Sequence, residues 1–306
     1  MSRGTRRRYC LCLSCSVESL VFRWQRRRLV STFQPVRRAA AASRRGLLAI
    51  GVIGIVIGTK ANAVSAGPPL IADDPNTIGA GNAQPIIATS VLNRRNQTVV
   101  AGPILDLTVG AVDSLDVTLV VSLDSLHRET ASPAWRWLGV ITPGIKWEFL
   151  RRDRGSLCIS PAFSVGTRDP GRPLVLLPLQ GEIEVGEIDA TLGFDAGYVS
   201  VWRGPGEWFA AVYGQVAVTK RLTFQGEIWS FGATTGHATD LGLSLGTTYL
   251  IFKHERKTLE LLAAVGPGLA SFGESRLDLR AYLGFQYTFA RPRRSAETQA
   301  AAAWRP

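Results

Sequence analysis

The stretch at residues 276–289, RLDLRAYLGFQYTF, alternates between apolar and polar side chains along its whole length. The odd positions are Leu277, Leu279, Ala281, Leu283, Phe285, Tyr287 and Phe289, and the even positions are Asp278, Arg280, Tyr282, Gly284, Gln286 and Thr288. A period of two residues predicts a β-strand, and about fourteen residues is long for a strand of a globular domain. One apolar face and one polar face are what a membrane-spanning β-barrel requires of its strands.

The end of this stretch resembles the last-strand signature by which bacterial outer-membrane barrels are recognised for assembly. The resemblance rests on Tyr282, Gly284, Tyr287 and Phe289. It implies that these residues are read by the barrel assembly machinery. A polar tail at 290–306 follows Phe289, whereas such barrels usually end at the aromatic residue.

The chain from residue 84 onward repeats the alternating pattern, and about twelve strands are predicted, with a range of ten to fourteen. They lie near 84–93, 98–111, 115–124, 137–150, 157–166, 174–184, 189–201, 208–219, 222–232, 240–252, 258–267 and 276–289. No stretch after Ala66 shows a helical period. The predicted fold class is therefore all-β, an antiparallel transmembrane β-barrel over residues 84–289.

The connections between the predicted strands alternate in length. Those at 113–114 and 219–221 are tight, while those at 124–136 and 166–173 are longer and richer in Gly, Pro and charge. Short periplasmic turns and longer outer loops produce this rhythm, and an even strand count places both ends of the barrel in the periplasm. Six tryptophans near strand ends fit an interfacial aromatic girdle: Trp135, Trp137, Trp147, Trp202, Trp208 and Trp229.

A soluble β-sandwich or barrel is the alternative fold. It also uses alternation and aromatic residues, and it would equally follow a signal peptide. It does not account for strands of ten to fourteen residues, which are common in membrane barrels and unusual elsewhere. The membrane barrel is therefore the favoured interpretation.

Residues 1–66 form a leader. Arg44 and Arg45 precede a charge-free apolar run at Gly46–Gly58, which is too short to span a bilayer as a helix. Small residues follow, so the pattern predicts a secretory signal peptide cleaved after Ala66, with Ala63 as the second choice.

The part of the leader before Arg44 is unusually long. Either translation begins further downstream, near Val30 or beyond, or the arginine-rich stretch serves targeting. Residues 43–48 also resemble a twin-arginine export motif. That route carries folded proteins, whereas a barrel with an apolar exterior must cross the inner membrane unfolded.

The formal net charge of +11 belongs to the leader, which contains thirteen basic residues and one acidic residue. The rest of the chain holds 22 basic and 23 acidic residues, so a nucleic-acid partner is not indicated. Three of the four cysteines, Cys10, Cys12 and Cys15, also lie in the leader. No matching His or Cys cluster accompanies them, so a zinc site is not favoured.

Three stretches carry a family resemblance: residues 106–123, residues 207–230 and the final LRAYLGFQYTF. They are similar to the outer-membrane proteins grouped as the putative MetA pathway of phenol degradation, and GPPLIADDP at 67–75 is similar to that family's mature N-terminus. The resemblance implies an outer-membrane, transporter-like barrel that passes small, partly apolar or aromatic compounds. It supplies no site residues. Residues 67–83 are rich in proline and glycine, which favour turns, and are interpreted as a periplasmic lead-in.

If the apolar faces meet lipid, the polar faces line the interior. This predicts the lumen-lining residues Asp106, Lys146, Glu148, Glu182, Glu184, Asp195, Gln225, Glu227 and Arg280, with Gln180, Gln215, Glu260, Asp278 and Gln286 beside them. Acidic residues outnumber basic ones, so a neutral or mildly cation-preferring lumen is expected. Glu182, Glu184 and Arg280 are the first candidates for pore electrostatics.

No catalytic, cofactor-binding or metal-binding residue is predicted. An outer-membrane lipid hydrolase needs a serine with a positioned histidine, but His127, His237 and His254 all fall in predicted loops or turns. The adjacent carboxylates of Asp73 and Asp74 are expected to be solvated rather than to bind a cation.

The sequence therefore favours a passive conduit in the outer membrane of a Gram-negative bacterium, with lipid and a small solute as partners. A structural or surface-presenting barrel is the main alternative. A lipid hydrolase is the weaker one, and no cofactor is expected.

Overall fold

A computed structural model describes residues 70–94, 97–128, 136–166, 173–186, 189–202, 206–234, 239–271 and 277–290. The leader, with its predicted signal peptide and three cysteines, and the tail after residue 290 lie outside these residues. Thirteen strands are present in the described chain: β1 (Ala83–Arg94), β2 (Gln97–Val112), β3 (Leu115–Arg128), β4 (Arg136–Arg152), β5 (Gly155–Ile159), β6 (Ala162–Gly166), β7 (Leu174–Glu184), β8 (Ala190–Val201), β9 (Glu207–Thr219), β10 (Leu222–Ala233), β11 (Thr239–His254), β12 (Lys257–Ser271) and β13 (Leu277–Phe289). Among the described residues, no helix is long and apolar enough to cross a membrane.

The strands close into one antiparallel ring. Apart from β5 and β6, strands that follow each other in sequence are paired, and β1 also pairs with β13, so that Ala83 lies opposite Phe289. β5 and β6 share one position, because both pair with β4 on one side and with β7 on the other. The described chain therefore forms a closed barrel with twelve strand positions, and the predicted fold class is confirmed.

The strand predicted at 157–166 is interrupted at Ser160 and Pro161, between β5 and β6. Proline has no backbone N–H and cannot donate a ladder hydrogen bond. The connection still follows the barrel wall, because Ile145 N donates to Pro161 O (3.0 Å) and Ser160 N donates to Pro178 O (3.1 Å).

The two ends of the barrel differ. Tight turns at 113–114, 153–154, 220–221 and 255–256 lie at the end that also holds Ala83 and Phe289, here called the turn end. The connections between β3 and β4, β6 and β7, β10 and β11, and β12 and β13 are longer and lie at the opposite end, here called the loop end. This is the alternation that the sequence predicts.

Large apolar side chains cover the outside of the ring. Val212, Leu283 and Leu105 are 62%, 55% and 47% exposed. Their sequence neighbours on the opposite face, such as Ala211 and Tyr282, are buried inside. An apolar exterior of this extent needs a non-aqueous environment, and a lipid bilayer provides one.

Two details of the predicted faces are wrong. Leu277 is buried and Asp278 is exposed, because the pairing of β1 with β13 shifts register between Asn93 and Arg94, which exchanges the two faces at this end of β13. Trp229 is only 1% exposed and donates from Nε1 to Ser244 Oγ (3.1 Å), so it lies inside the barrel and not in a girdle. Trp147, Trp202 and Trp208 are exposed.

Candidate functional site

Residues 70–82, here called the lumen segment, lie within the ring of strands. Leu70, Ile71 and Ala72 are buried in an apolar cluster at the loop end. Strands from around the ring contribute Leu92, Val99, Val140, Leu174, Leu176, Val199, Val201, Phe209, Ala211, Tyr213, Trp229, Phe231 and Leu277 to this cluster. Residues 67–83 are predicted to be a periplasmic lead-in to the barrel. In the described part of that stretch, an apolar triplet lies inside the barrel and is removed from water.

Glu227 on β10 binds the first residues of the lumen segment, near the loop end. Its carboxylate accepts hydrogen bonds from the backbone N–H groups of Ile71 (2.8 Å) and Ala72 (2.9 Å). Arg280 on β13 lies 3.3 Å from the same carboxylate, and both side chains are almost fully buried. A buried carboxylate is costly without donors and a counter-charge, and the lumen segment and β13 supply both.

Lys146 on β4 holds the middle of the lumen segment. Its ammonium group lies 2.7 Å from the Asp73 carboxylate and donates to the carbonyl oxygen of Asp74 (2.8 Å). From the facing wall, Asp195 on β8 accepts a hydrogen bond from Asp73 N (3.2 Å). Asp73 thus contacts two opposite walls of the barrel. The sequence led us to expect a solvated loop carboxylate at this position.

Two glutamates bind the lumen segment nearer the turn end. Glu148 accepts a hydrogen bond from Thr77 Oγ1 (2.9 Å) and forms an ion pair with Arg151. Glu182 accepts a hydrogen bond from the side-chain amide of Asn76. Side chains from β4 and β7 therefore hold this part of the segment.

The chain turns from the lumen segment into β1 at Gly79 and Gly81. Their φ angles are 83° and 74°, in the left-handed region that glycine adopts without a steric cost. Just before the turn, the carboxylate of Asp116 accepts a hydrogen bond from Ile78 N (3.0 Å). Because of this turn, the lumen segment lies inside the barrel beside β1 and does not extend away from the turn end.

Six of the nine predicted lumen residues come together in the structure, and the other three lie apart. Lys146, Glu148, Glu182, Asp195, Glu227 and Arg280 come together around the lumen segment. Gln225 is buried and donates to Thr248 Oγ1 (3.3 Å), while Glu184 is exposed at the end of β7. Asp106 is half-buried in the wall formed by β2. Asp73, Asn76 and Asp116 were not among the predicted lumen residues. The sequence signal that could have indicated the lumen segment is the apolar triplet at 70–72, directly followed by the carboxylates of Asp73 and Asp74.

A cavity of about 270 Å³ lies between the lumen segment and the barrel wall. Apolar side chains from several strands face it, including Ile86, Ile104, Val120 and Phe209. Its polar lining combines threonines with five carboxylates, those of Asp73, Asp74, Asp106, Asp116 and Asp195. A space lined in this way accommodates a small molecule that is partly apolar.

Chemistry other than binding has few candidates in this part of the chain. Among the described residues, no group of three or more His, Cys, Asp or Glu side chains is arranged to hold a metal ion. His254 is exposed at the end of β11. Cys158 is buried as a free thiol and bonds to the amide oxygen of Gln180 (2.9 Å).

No protein-family model and no curated protein matches the chain. Solved structures do match. An outer membrane channel from Pseudomonas putida F1 superposes with a TM-score of 0.57 at 12% identity, over 74% of this chain and 100% of the channel. The KdgM porin covers 67% of this chain and 99% of its own at 12% identity (TM-score 0.48), and the CymD monoaromatic hydrocarbon channel covers 76% and 100% at 8% identity (TM-score 0.43). The first likeness establishes the fold: the described chain is a closed twelve-strand barrel of the kind found in outer-membrane channels.

Proposed function

We propose that this protein is a passive conduit for small, partly apolar solutes in the outer membrane of a Gram-negative bacterium. The observation that carries the proposal is a cavity of about 270 Å³ inside a closed ring whose outer face is apolar. An apolar exterior suits lipid, and an interior cavity with both polar and apolar walls suits a small solute. The sequence resemblance to the MetA phenol-degradation family supports aromatic compounds among the solutes.

The proposal includes a route to the membrane. The leader directs export and is removed after Ala66 or Ala63, and the assembly machinery then reads Tyr282, Gly284, Tyr287 and Phe289. The pairing of Phe289 with Ala83 supports this role, because the strand that carries the signature also closes the ring. The turn end then faces the periplasm.

The proposal assigns the electrostatics of the conduit to the predicted interior set. These residues are Asp106, Lys146, Glu148, Glu182, Glu184, Asp195, Gln225, Glu227 and Arg280. The six of them that surround the lumen segment support this assignment, because a solute that moves through the ring has to pass these groups. No catalytic step is part of the proposal.

One observation favours the second candidate, a structural barrel that conducts nothing. The lumen segment is bonded to β4, β8 and β10, so it crosses the interior and narrows it. A segment held this firmly closes the ring to large solutes. The choice between the two functions therefore depends on whether small solutes pass beside it.

The test is conductance of the purified, processed protein in planar bilayers, together with uptake of benzyl alcohol by vesicles that contain it. Discrete openings and faster uptake than in protein-free vesicles are expected. Silence in both assays, from protein shown to be folded, would overturn the conduit and favour the structural barrel. Release of fatty acid from the vesicle lipid would point to a hydrolase.

A further inference from the structure

The charges that line the cavity are unbalanced. Among the described residues around it, five carboxylates face one cation, the ammonium group of Lys146. That ammonium group is already 2.7 Å from Asp73 and bonded to the backbone of Asp74. One ammonium group cannot balance five carboxylates, and a buried carboxylate without a counter-charge of its own is costly.

Three of these carboxylates have an oxygen atom that accepts no hydrogen bond. The Oδ1 atoms of Asp106, Asp116 and Asp195 are buried and have no partner among the described residues. Asp116 and Asp195 are at most 1% exposed, and each uses its other oxygen to bind the lumen segment. Asp106 differs from these two residues, because in the described chain no hydrogen bond or ion pair joins its side chain to the lumen segment. Its side chain forms part of the cavity wall.

The lining also has an apolar side. Ile86, Ile104, Val120 and Phe209 face the same space as Asp106. Ile86, Ile104 and Val120 belong to a buried apolar cluster that spans β1, β2, β3, β12 and β13. A bound molecule would therefore bury a hydrocarbon body against these side chains while its charged end meets a carboxylate.

We propose that the cavity is a binding site for a small organic cation, a primary amine on a compact hydrocarbon body, with Asp106 as its charge partner. An ammonium group donates three hydrogen bonds and carries the positive charge that the lining lacks. The inference rests on the proposed function in one respect, because it names the class of solute that the conduit would carry. Binding itself does not depend on permeation.

The experiment compares three probes of similar shape: benzylammonium, benzyl alcohol and benzoate. Each is titrated by calorimetry into the full processed protein in detergent micelles at neutral pH. We expect benzylammonium to bind at least about tenfold more tightly than benzyl alcohol, because only the cation neutralises the negative charge of Asp106. Benzoate should not bind. Equal affinities of the amine and the alcohol would overturn the inference without any mutant.

A matched pair of variants tests the role of Asp106. Asp106→Asn keeps the shape and removes the charge, and we expect it to weaken benzylammonium binding about tenfold while benzyl alcohol binding stays unchanged. Asp278→Asn makes the same chemical change at an exposed position outside the cavity and should leave both affinities as they are. Unchanged amine binding in folded Asp106→Asn protein, or an equal loss in Asp278→Asn, would contradict the assignment.

The binding assay and the conductance assay fail separately. Selective amine binding without permeation would retain the site and remove the conduit. Permeation without a preference for the amine would retain the conduit and remove the cation site.

Discussion

At the scale of single residues, Glu227 joins three parts of the barrel: its own strand β10, the lumen segment and Arg280 on β13. Glu227→Gln removes the negative charge and gives the side chain an N–H group where it now accepts two backbone hydrogen bonds. We expect the free energy of unfolding to fall by about 3 kcal/mol, in the range for a broken buried pair. Urea titration of vesicle-embedded protein, followed by tryptophan fluorescence, measures this loss.

Glu260→Gln is the matched control for that prediction. Glu260 is equally buried and accepts a hydrogen bond from Gln286 (3.1 Å), but this bond joins two strands and no part of the lumen segment. The two variants therefore differ in their effect on residues 70–82. Protease cleavage within these residues should become faster in Glu227→Gln and stay slow in Glu260→Gln, and equal rates would contradict the role of Glu227 as the anchor.

A second prediction concerns the close packing of Trp229 against β11. A Cβ atom added at Gly242 would overlap the Trp229 indole ring, which is buried and held by Ser244. Gly242→Ala should therefore lower the free energy of unfolding by about 1–3 kcal/mol. Gly226→Ala is the control, because its new Cβ would make an ordinary contact with Leu245 (3.5 Å). Similar urea midpoints for both variants would show that the indole ring moves aside without cost.

At the scale of elements, the lumen segment limits the open cross-section of the ring. Replacement of residues 70–78 by a Gly-Ser sequence of the same length removes the contacts with Glu227, Lys146 and Asp195 but keeps the chain connected. We expect single-channel conductance to rise by about twofold or more, since a twelve-strand ring is wider than the eight-strand kind that side chains fill. Planar-bilayer recording measures the change, and unchanged conductance would show that the segment does not limit flow.

The strands could be predicted from the sequence because alternation reports directly which side of a strand meets an apolar solvent. Eleven of the twelve predicted strands match one strand each, and the strand at 157–166 matches the β5–β6 pair. The break in the strand at Pro161 was not predicted, since a hydropathy pattern does not show which backbone N–H groups donate hydrogen bonds between strands. The exchange of faces at Asp278 was not predicted either, since the pattern does not show where the pairing register shifts.

The interior site was predictable only in part. Alternation selects the inward face, and in the structure Lys146, Asp195 and Glu227 are buried on that side of their strands. It does not show what these side chains bind, because their partners lie in a loop-like segment more than 70 residues away in sequence. Residues 70–78 show no periodic hydropathy pattern that would predict their position. Only the cost of burying unpaired carboxylates indicates that the inward-facing acidic side chains need hydrogen-bond donors from another part of the chain.

At the scale of the whole molecule, the apolar exterior predicts a dependence on depth in the bilayer. Val212 and Val218 lie on the outer face of the same strand, Val212 near its middle and Val218 near the turn end. Val212→Arg should cost about 2–4 kcal/mol of unfolding free energy in vesicles, and Val218→Arg no more than about 1 kcal/mol. Equal and small costs for both variants would show that the outer face does not meet the hydrocarbon core.

The seam of the ring lies between the first strand and the last, where Ala83 pairs with Phe289. No enclosed interior can exist until the ribosome has finished the final strand, so closure is an event of the complete polypeptide. Because residues 70–82 come immediately before the seam, we expect them to be in position before β1 and β13 meet. In this order of events the ring forms around residues 70–82, and the pairing of β1 with β13 encloses them.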